Sequence, residues 1–184
     1  PVTGFDSNVQ RIEELASGHD RTGEVSDAAL RDSALSVTDD ESGLDAANVF
    51  IVTVPTPVDS ENRPDLASVL LASATVGRHL RKGGIVAYES TVYPGVTEDM
   101  CAPALQRGSG LKNGVDFFVG YSPERINPGD SEHGIEHITK VVAGQTPETL
   151  DRLAEIYGTV TNGNIYRASS IKTAEAAKVI ENAQ

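Results

Sequence analysis

A chain of 184 residues can bury one sizeable core, and 39% hydrophobic with 23% charged residues is the composition of an ordinary globular α/β domain. A formal net charge of -12 excludes the basic face that nucleic-acid phosphates require, so no nucleic-acid partner is expected. No apolar run has transmembrane length and the first residues lack a basic signal-peptide start, so no membrane is expected and the cytoplasm is the expected location. The single cysteine, Cys101, cannot form an internal disulfide, which fits a reducing compartment. The acidity suits simple solubility, and the ten arginines against five lysines equally suit a high-salt cytoplasm.

In chain order, Val2–Phe5 reads as a strand that ends on an acid, Asp6. A helical pattern over Asn8–Ala16 follows, then strands at Leu35–Thr38 and Val49–Val54. The near-continuous apolar run Phe50–Val54 suits a strand buried on both faces. Leu66, Val69, Leu70, Ala74 and Leu80 form one stripe of a helix over Leu66–Leu80, with Asp65 placed to cap it after Pro64. Strands at Ile85–Tyr88, Phe117–Tyr121, Lys140–Ala143 and Asn164–Arg167 alternate with helices at Thr97–Arg107, Pro147–Tyr157 and from Ile171 onward. There is no internal repeat. Such alternation predicts a doubly wound parallel sheet.

Ligands on that architecture bind beyond the carboxyl ends of the strands. Three such ends carry unusual loops: Val54-Pro55-Thr56-Pro57, Glu89-Ser90-Thr91-Val92-Tyr93-Pro94-Gly95, and Ser122-Pro123-Glu124-Arg125-Ile126-Asn127-Pro128-Gly129. Each alone could be an ordinary turn, but three in succession point to a site. Asp6 stands where an acid binds the adenosine ribose of a dinucleotide, or else is a cap or turn residue. The glycine fingerprint that precedes such an acid by about 20 residues would lie before Pro1. Lys178 and Asn182 are spaced i, i+4, so a cation and an amide would project side by side towards developing negative charge. Lys178 could equally be a solvated lysine paired with Glu175 or Glu181, and Glu124 a structural ion-pair acid. His133-Gly134-Ile135-Glu136-His137 spells an inverted zinc-protease signature, but Gly134 interrupts the helix it needs, so no metal is expected.

The loops at 50–57, 89–95 and 122–129, together with Thr173–Lys178 and Glu181-Asn182, resemble the UDP-glucose/GDP-mannose dehydrogenase superfamily. Tyr121–Asp130 and the helix ending Lys178–Asn182 are most similar to its UDP-N-acetylhexosamine 6-dehydrogenase branch, with UDP-glucose and GDP-mannose 6-dehydrogenases the nearest alternatives. The resemblance spans the chain and implies a Rossmann-like fold, NAD as cofactor, a UDP-sugar substrate and a homodimer or higher homo-oligomer. It implies oxidation of a sugar C6 alcohol to a carboxylate in two hydride transfers. The intermediate would be held on a cysteine thiol from a C-terminal domain.

By that resemblance Asp6 binds the adenosine ribose, while Pro55 and Thr56 line the cofactor cleft. Thr91 sits near the nicotinamide and the reacting carbon. Glu124 is beside the cofactor and acts as, or orients, the base for thioester hydrolysis. Lys178 and Asn182 hold the oxyanion at C6, and Arg125 contacts the sugar nucleotide. Cys101 is not the catalytic thiol but a small packing residue. Residues 1–168 are then an NAD-binding domain without its first strand and glycine-rich loop, and 169–184 begin the central dimerisation helix. Such a fragment is expected to be inactive alone. Two alternatives are a non-catalytic nucleotide-binding fragment and a β-hydroxyacid dehydrogenase relative, though the Ser-Pro-Glu-Arg loop and the Lys178/Asn182 helix speak against the latter. If Val2–Phe5 is the second strand of a 3-2-1-4-5-6 order, it and Val49–Val54 flank an empty slot, and they are expected to close on each other or take up a strand from another molecule.

Overall fold

The first helix shows how local chemistry sets the boundaries. Asn8 lies outside it in extended geometry and its side chain accepts the Arg11 N–H at 3.1 Å, so α1 begins at Val9 and runs to Ala16. The computed structural model describes residues 1–58, 61, 63–125 and 138–182, and the chain divides into two units, Pro1–Ala46 and Ala47–Gln184.

In the first unit, β1 (Val2–Phe5) precedes α1, and α2 (Asp27–Asp32) precedes β2 (Leu35–Thr38). β1 and β2 pair in parallel, Val2 opposite Leu35 and Phe5 opposite Thr38. The link from α1 to α2 is organised by Asp20, which is buried. Its carboxylate accepts Arg11 Nη2 at 2.7 Å, the Thr22 hydroxyl at 2.8 Å and the Val25 N–H at 3.0 Å. Those donors, the Arg11 guanidinium foremost, hold the carboxyl well below its ordinary range. α2 and a 3₁₀ turn at Glu41–Leu44 were not expected. The helix buries no residue, so it leaves no apolar stripe in the sequence, and only Ser26, which caps it through the Ala29 N–H, marks its start.

The second unit holds β3 (Val49–Val52), α3 (Ala67–His79), β4 (Gly84–Tyr88), α4 (Ala102–Ser109), β5 (Phe117–Tyr121), β6 (Lys140–Gly144), α5 (Pro147–Gly158), β7 (Ile165–Arg167) and α6 (Ile171–Asn182). Its sheet runs β3-β4-β5-β6-β7. All neighbours are parallel except β5 and β6, which are antiparallel with Tyr121 opposite Ala143. The architecture is α/β with a mostly parallel sheet, as expected. The reversal at β6 was not anticipated, and it brings the start of β6 to the carboxyl ends of β4 and β5.

The strand buried on both faces is β4, not β3. Val86, Ala87 and Tyr88 are almost fully enclosed, whereas Ile51 of β3 is 43% exposed between buried Phe50 and Val52. Among the described residues β3 pairs with β4 alone, and its apolar run serves one face. Ala87, Val142, Leu153 and Tyr157 form the centre of a core completed by Val49, Ile85, Leu150 and Ile165. Each fully buried large aliphatic or aromatic side chain contributes about 1.5–3 kcal/mol.

α3 and α4 cross where Gly77 meets Gly108, with no room for side chains: a Cβ on Gly77 would lie 3.0 Å from the Leu105 carbonyl oxygen. Asp65 accepts the Ala67 N–H at 2.9 Å and so caps α3 as expected, although Leu66 occupies the capping position itself. The helix expected over Thr97–Arg107 opens instead with a π-helical turn over Thr97–Cys101, which ends two residues before Pro103. Proline has no N–H and its ring collides with the carbonyl four residues back, so a widened turn accommodates it.

Among the described residues β1 pairs with β2 inside the first unit and β3 with β4 inside the second. Each has an edge on which no described strand pairs. Open edges of N–H and C=O groups recruit other chains. The 184-residue chain is therefore expected to self-associate, seen as a sedimentation coefficient that rises with concentration, and Ile51→Lys should weaken this. A monomer at all concentrations would contradict it.

Candidate functional site

Beyond the carboxyl ends of β3, β4 and β5, side-chain hydroxyls tie the loops together through main-chain carbonyls that would otherwise lack donors. Ser90 Oγ donates to the Val54 carbonyl at 2.6 Å, and the Tyr121 hydroxyl donates to the Ser90 carbonyl at 3.2 Å. Thr56 Oγ1 donates to the Thr91 carbonyl at 2.5 Å. The structure thus brings Thr56 and Thr91 together. The Pro55 and Thr91 side chains face solvent, and the Thr91 hydroxyl has no partner among the described residues.

Behind these loops lies a charged cluster that sequence reasoning missed. Lys140, the first residue of β6, has a side chain only 1% exposed, and its Nζ donates to Glu89 Oε2 at 3.0 Å. The same ammonium reaches the Pro123 carbonyl at 3.4 Å and lies 3.7 Å from Glu124 Oε2. It also sits 5.2 Å from the centre of the Tyr157 ring, whose hydroxyl donates to Glu89 Oε1 at 2.8 Å. Burial, and then the nearby Glu89 carboxylate, push the Tyr157 phenol far above its ordinary value, so it acts as a donor at any physiological pH. Removing one member would leave a buried charge unpaired, at a cost of about 3–5 kcal/mol. The available signal was a lysine opening an otherwise apolar strand, but nothing in the spacing pairs it with Glu89. Glu124 is half exposed, and its Oε1 accepts the Arg125 N–H at 2.6 Å.

α6 is anchored to two of the loops. Glu175, wholly buried, accepts the Gly95 N–H at 2.6 Å and the Thr97 N–H at 2.9 Å, which ties the helix to the segment after Thr91. Glu181 pairs with Arg125, at 2.7 Å to Nη2 and 3.1 Å to Nε, which ties the helix to the segment after β5. Arg125 is therefore engaged within the chain, and also donates to the Thr139 carbonyl at 3.4 Å. Neither acid pairs with Lys178, contrary to the simple surface expectation, and the Lys178 ammonium has no partner among the described residues. At about 100° per residue, 175, 178, 181 and 182 fall within one sector of the helix, so Lys178 shares the face that meets the loops. The Asn182 side chain, the rest of the loop at 126–129 and the histidine motif at 133–137 lie outside the described residues.

In the first unit, Asp6 is exposed at the end of β1 and its Oδ1 accepts the Asn8 N–H at 2.8 Å. That bond is the turn role, one of the two expected of Asp6. Within the second unit, exposed Pro55 and Thr91 beyond the sheet fit part of a dinucleotide. The Gly-x-Gly-x-x-Gly turn that holds a pyrophosphate is not among the 184 residues. Cys101 is buried in the π-helical turn, and burial pushes its thiol up to about 11, so it is no nucleophile at neutral pH. No helix among the described residues is long and apolar enough to cross a membrane.

A mostly parallel sheet with helices between its strands is the architecture of a Rossmann-type dinucleotide-binding domain. The chain belongs to the UDP-glucose/GDP-mannose dehydrogenase family, matching the NAD binding domain of that family over residues 1–161, and its cofactor is NAD. It is 54% identical over 183 residues to Protein CapL of Staphylococcus aureus, covering 100% of this chain and 43% of that protein. It is 53% identical over 184 residues to the UDP-N-acetyl-D-glucosamine 6-dehydrogenase of Pseudomonas aeruginosa, covering 100% of this chain and 44% of that enzyme. Among solved structures, the UDP-D-ManNAc dehydrogenase of Pyrococcus horikoshii superposes with a TM-score of 0.89 at 33% identity, covering 98% of this chain and 44% of that one. The chain thus spans less than half the length of these relatives.

Two outcomes test this geometry. Iodoacetamide at pH 8 should leave Cys101 unmodified in the native chain and alkylate it on unfolding, as mass spectrometry would show; rapid native labelling would contradict the burial. Glu175→Ala strands two amide donors and should lower stability by about 2–6 kcal/mol in urea melts, at roughly 1–3 kcal/mol per unsatisfied group. An unchanged midpoint would mean that α6 is not anchored there.

Proposed function

We propose that this chain is the NAD-binding part of a UDP-N-acetylhexosamine 6-dehydrogenase, which oxidises the sugar C6 alcohol to the uronate in two hydride transfers. The observation that carries this is the Lys178 ammonium, without a partner among the described residues, on a helix fastened to both the Thr91 and the Glu124 loops. Such a cation, fixed by its neighbours rather than neutralised by them, suits charge that appears only during reaction. Bound NAD+ supplies the hydride acceptor.

Asp6 holds the adenosine ribose, and Pro55 and Thr56 wall the cofactor cleft. Thr91 directs its hydroxyl, without a partner among the described residues, towards the reacting carbon. Lys178 and Asn182 stabilise the oxyanion at C6, and Arg125, beside Glu181, helps to place the sugar nucleotide. Glu124 takes a proton from the water that hydrolyses a thioester on a cysteine supplied by the rest of the protein. In domain terms, residues 1–168 are the cofactor part and 169–184 begin a central helix through which the protein dimerises, working in the cytoplasm. The N-acetylhexosamine branch rests on the Pseudomonas relative at 53% identity; UDP-glucose and GDP-mannose are the alternatives.

In the full-length enzyme Lys178→Ala should lower kcat by about 100- to 1000-fold with little change in KM for the sugar nucleotide. Steady-state NADH formation at 340 nm measures both, and an unchanged kcat would return Lys178 to a solvated helix position. The 184-residue chain alone, whose single thiol is buried, should form no NADH from UDP-GlcNAc, UDP-GalNAc or UDP-glucose.

A further inference from the structure

The reversal of β6 gives Lys140 a second task besides neutralising Glu89. Tyr121 lies opposite Ala143 in the antiparallel pair, so three residues further along each strand path position 124 comes opposite 140. The ammonium is held on three sides: by Glu89 Oε2 at 3.0 Å, the Pro123 carbonyl at 3.4 Å and the Tyr157 ring at 5.2 Å from its centre. Its remaining contact is Glu124 Oε2 at 3.7 Å, on a carboxylate 45% exposed.

We propose that Lys140 is a positioning residue for thioester hydrolysis: it fixes the Glu124 carboxylate from behind, so that its outer face meets the attacking water. This rests on Glu124 being the hydrolytic base. In that step a water oxygen bonds to the acyl carbon while one water proton passes to Glu124. The carbon–sulfur bond then breaks, the cysteine sulfur leaves as thiolate, and the uronic acid gives up its own proton to solvent. No electrons are transferred in this step. Lys140 exchanges no proton and touches neither sugar nor cofactor. Its effect is confined to the step that Glu124 serves, and the two hydride transfers before it proceed as usual.

The test uses the full-length enzyme with NAD+ and a UDP-N-acetylhexosamine, following NADH by stopped flow and the acyl-enzyme by mass spectrometry after acid quench. Lys140→Gln, which keeps a donor for Glu89, is expected to retain the rapid NADH burst and build up the covalent adduct. Steady turnover should fall about 100-fold, the scale of a misplaced catalytic group. Lys140→Arg should restore most of it, and KM for NAD+ should stay constant. In a Glu124→Gln background Lys140→Gln should slow hydrolysis no further. A loss of the burst in proportion to turnover, or an additive loss in the double variant, overturns the proposal and makes Lys140 purely structural. Adduct in Glu124→Gln but not in Lys140→Gln overturns this inference alone; no adduct in Glu124→Gln overturns the role of Glu124 and the inference with it. Should Lys140→Gln fail to fold, Tyr157→Phe strips one donor from Glu89 and draws the ammonium away from Glu124. It is then expected to show a smaller adduct build-up, and its absence counts against the proposal.

Discussion

A charged side chain withdrawn from water must find its partners inside the protein, and two such chains govern the second unit. Lys140 is 1% exposed and Glu175 wholly buried. Neither tolerates displacement, because moving away from a partner leaves charge in a low-dielectric interior. The partners they have found belong to the loops after β4 and β5. Lys140 joins Glu89 to the Pro123–Glu124 segment, and Glu175 joins α6 to Gly95 and Thr97. Loops, which elsewhere are the adaptable part of a fold, are here fixed from beneath by electrostatics. The exposed residues they carry inherit that rigidity.

The strands were legible because burial selects apolar runs of the right length. Val2–Phe5, Leu35–Thr38 and Phe117–Tyr121 have the boundaries their hydrophobicity suggests. The same signal failed to rank the strands. Phe50–Val54 is the more continuous apolar run, yet Ile51 is exposed, while β4 is the enclosed strand. Hydrophobicity records that a residue can be buried; which strand has neighbours on both sides is a property of the sheet. α2 was invisible for the converse reason, since a helix that buries nothing needs no stripe. Strand direction also leaves no trace in composition, so the reversal of β6, and with it the place of Lys140, was out of reach.

The candidate site was legible in its loops and not in its supports. Thr56, Thr91 and Glu124 stand in proline- and glycine-punctuated segments at strand ends, where chemistry shows through in residue type. Their anchors are ordinary residues inside regular elements: a lysine in a strand, a glutamate in a helix, a tyrosine at a helix end. Helical spacing suggested Glu175 and Glu181 as partners for Lys178, since such neighbours face each other. The structure sends Glu175 inward and Glu181 across to Arg125. Short-range spacing identifies residues that could meet, and longer-range partners compete for them. Asp6 takes the turn role through its bond to Asn8, the sense that local spacing alone can carry.

The division between exposed groups and buried anchors has an energetic logic. A side chain that must meet a substrate cannot be buried, and an exposed side chain on a free loop samples many positions, each reducing the time spent in the productive one. Fixing it through direct contacts would occupy the atoms the chemistry needs. Fixing its backbone neighbours leaves those atoms open. The candidate residue Thr91 has this construction: its carbonyl is held by Thr56 and the preceding carbonyl by Tyr121, while its hydroxyl has no partner among the described residues. Lys178 follows the same pattern on α6, with Glu175 and Glu181 secured on either side and its own ammonium unpaired among the described residues. The strand ends and the helix therefore share one construction, in which charge and hydrogen bonding are satisfied one residue or one helical turn away from the groups that stay available.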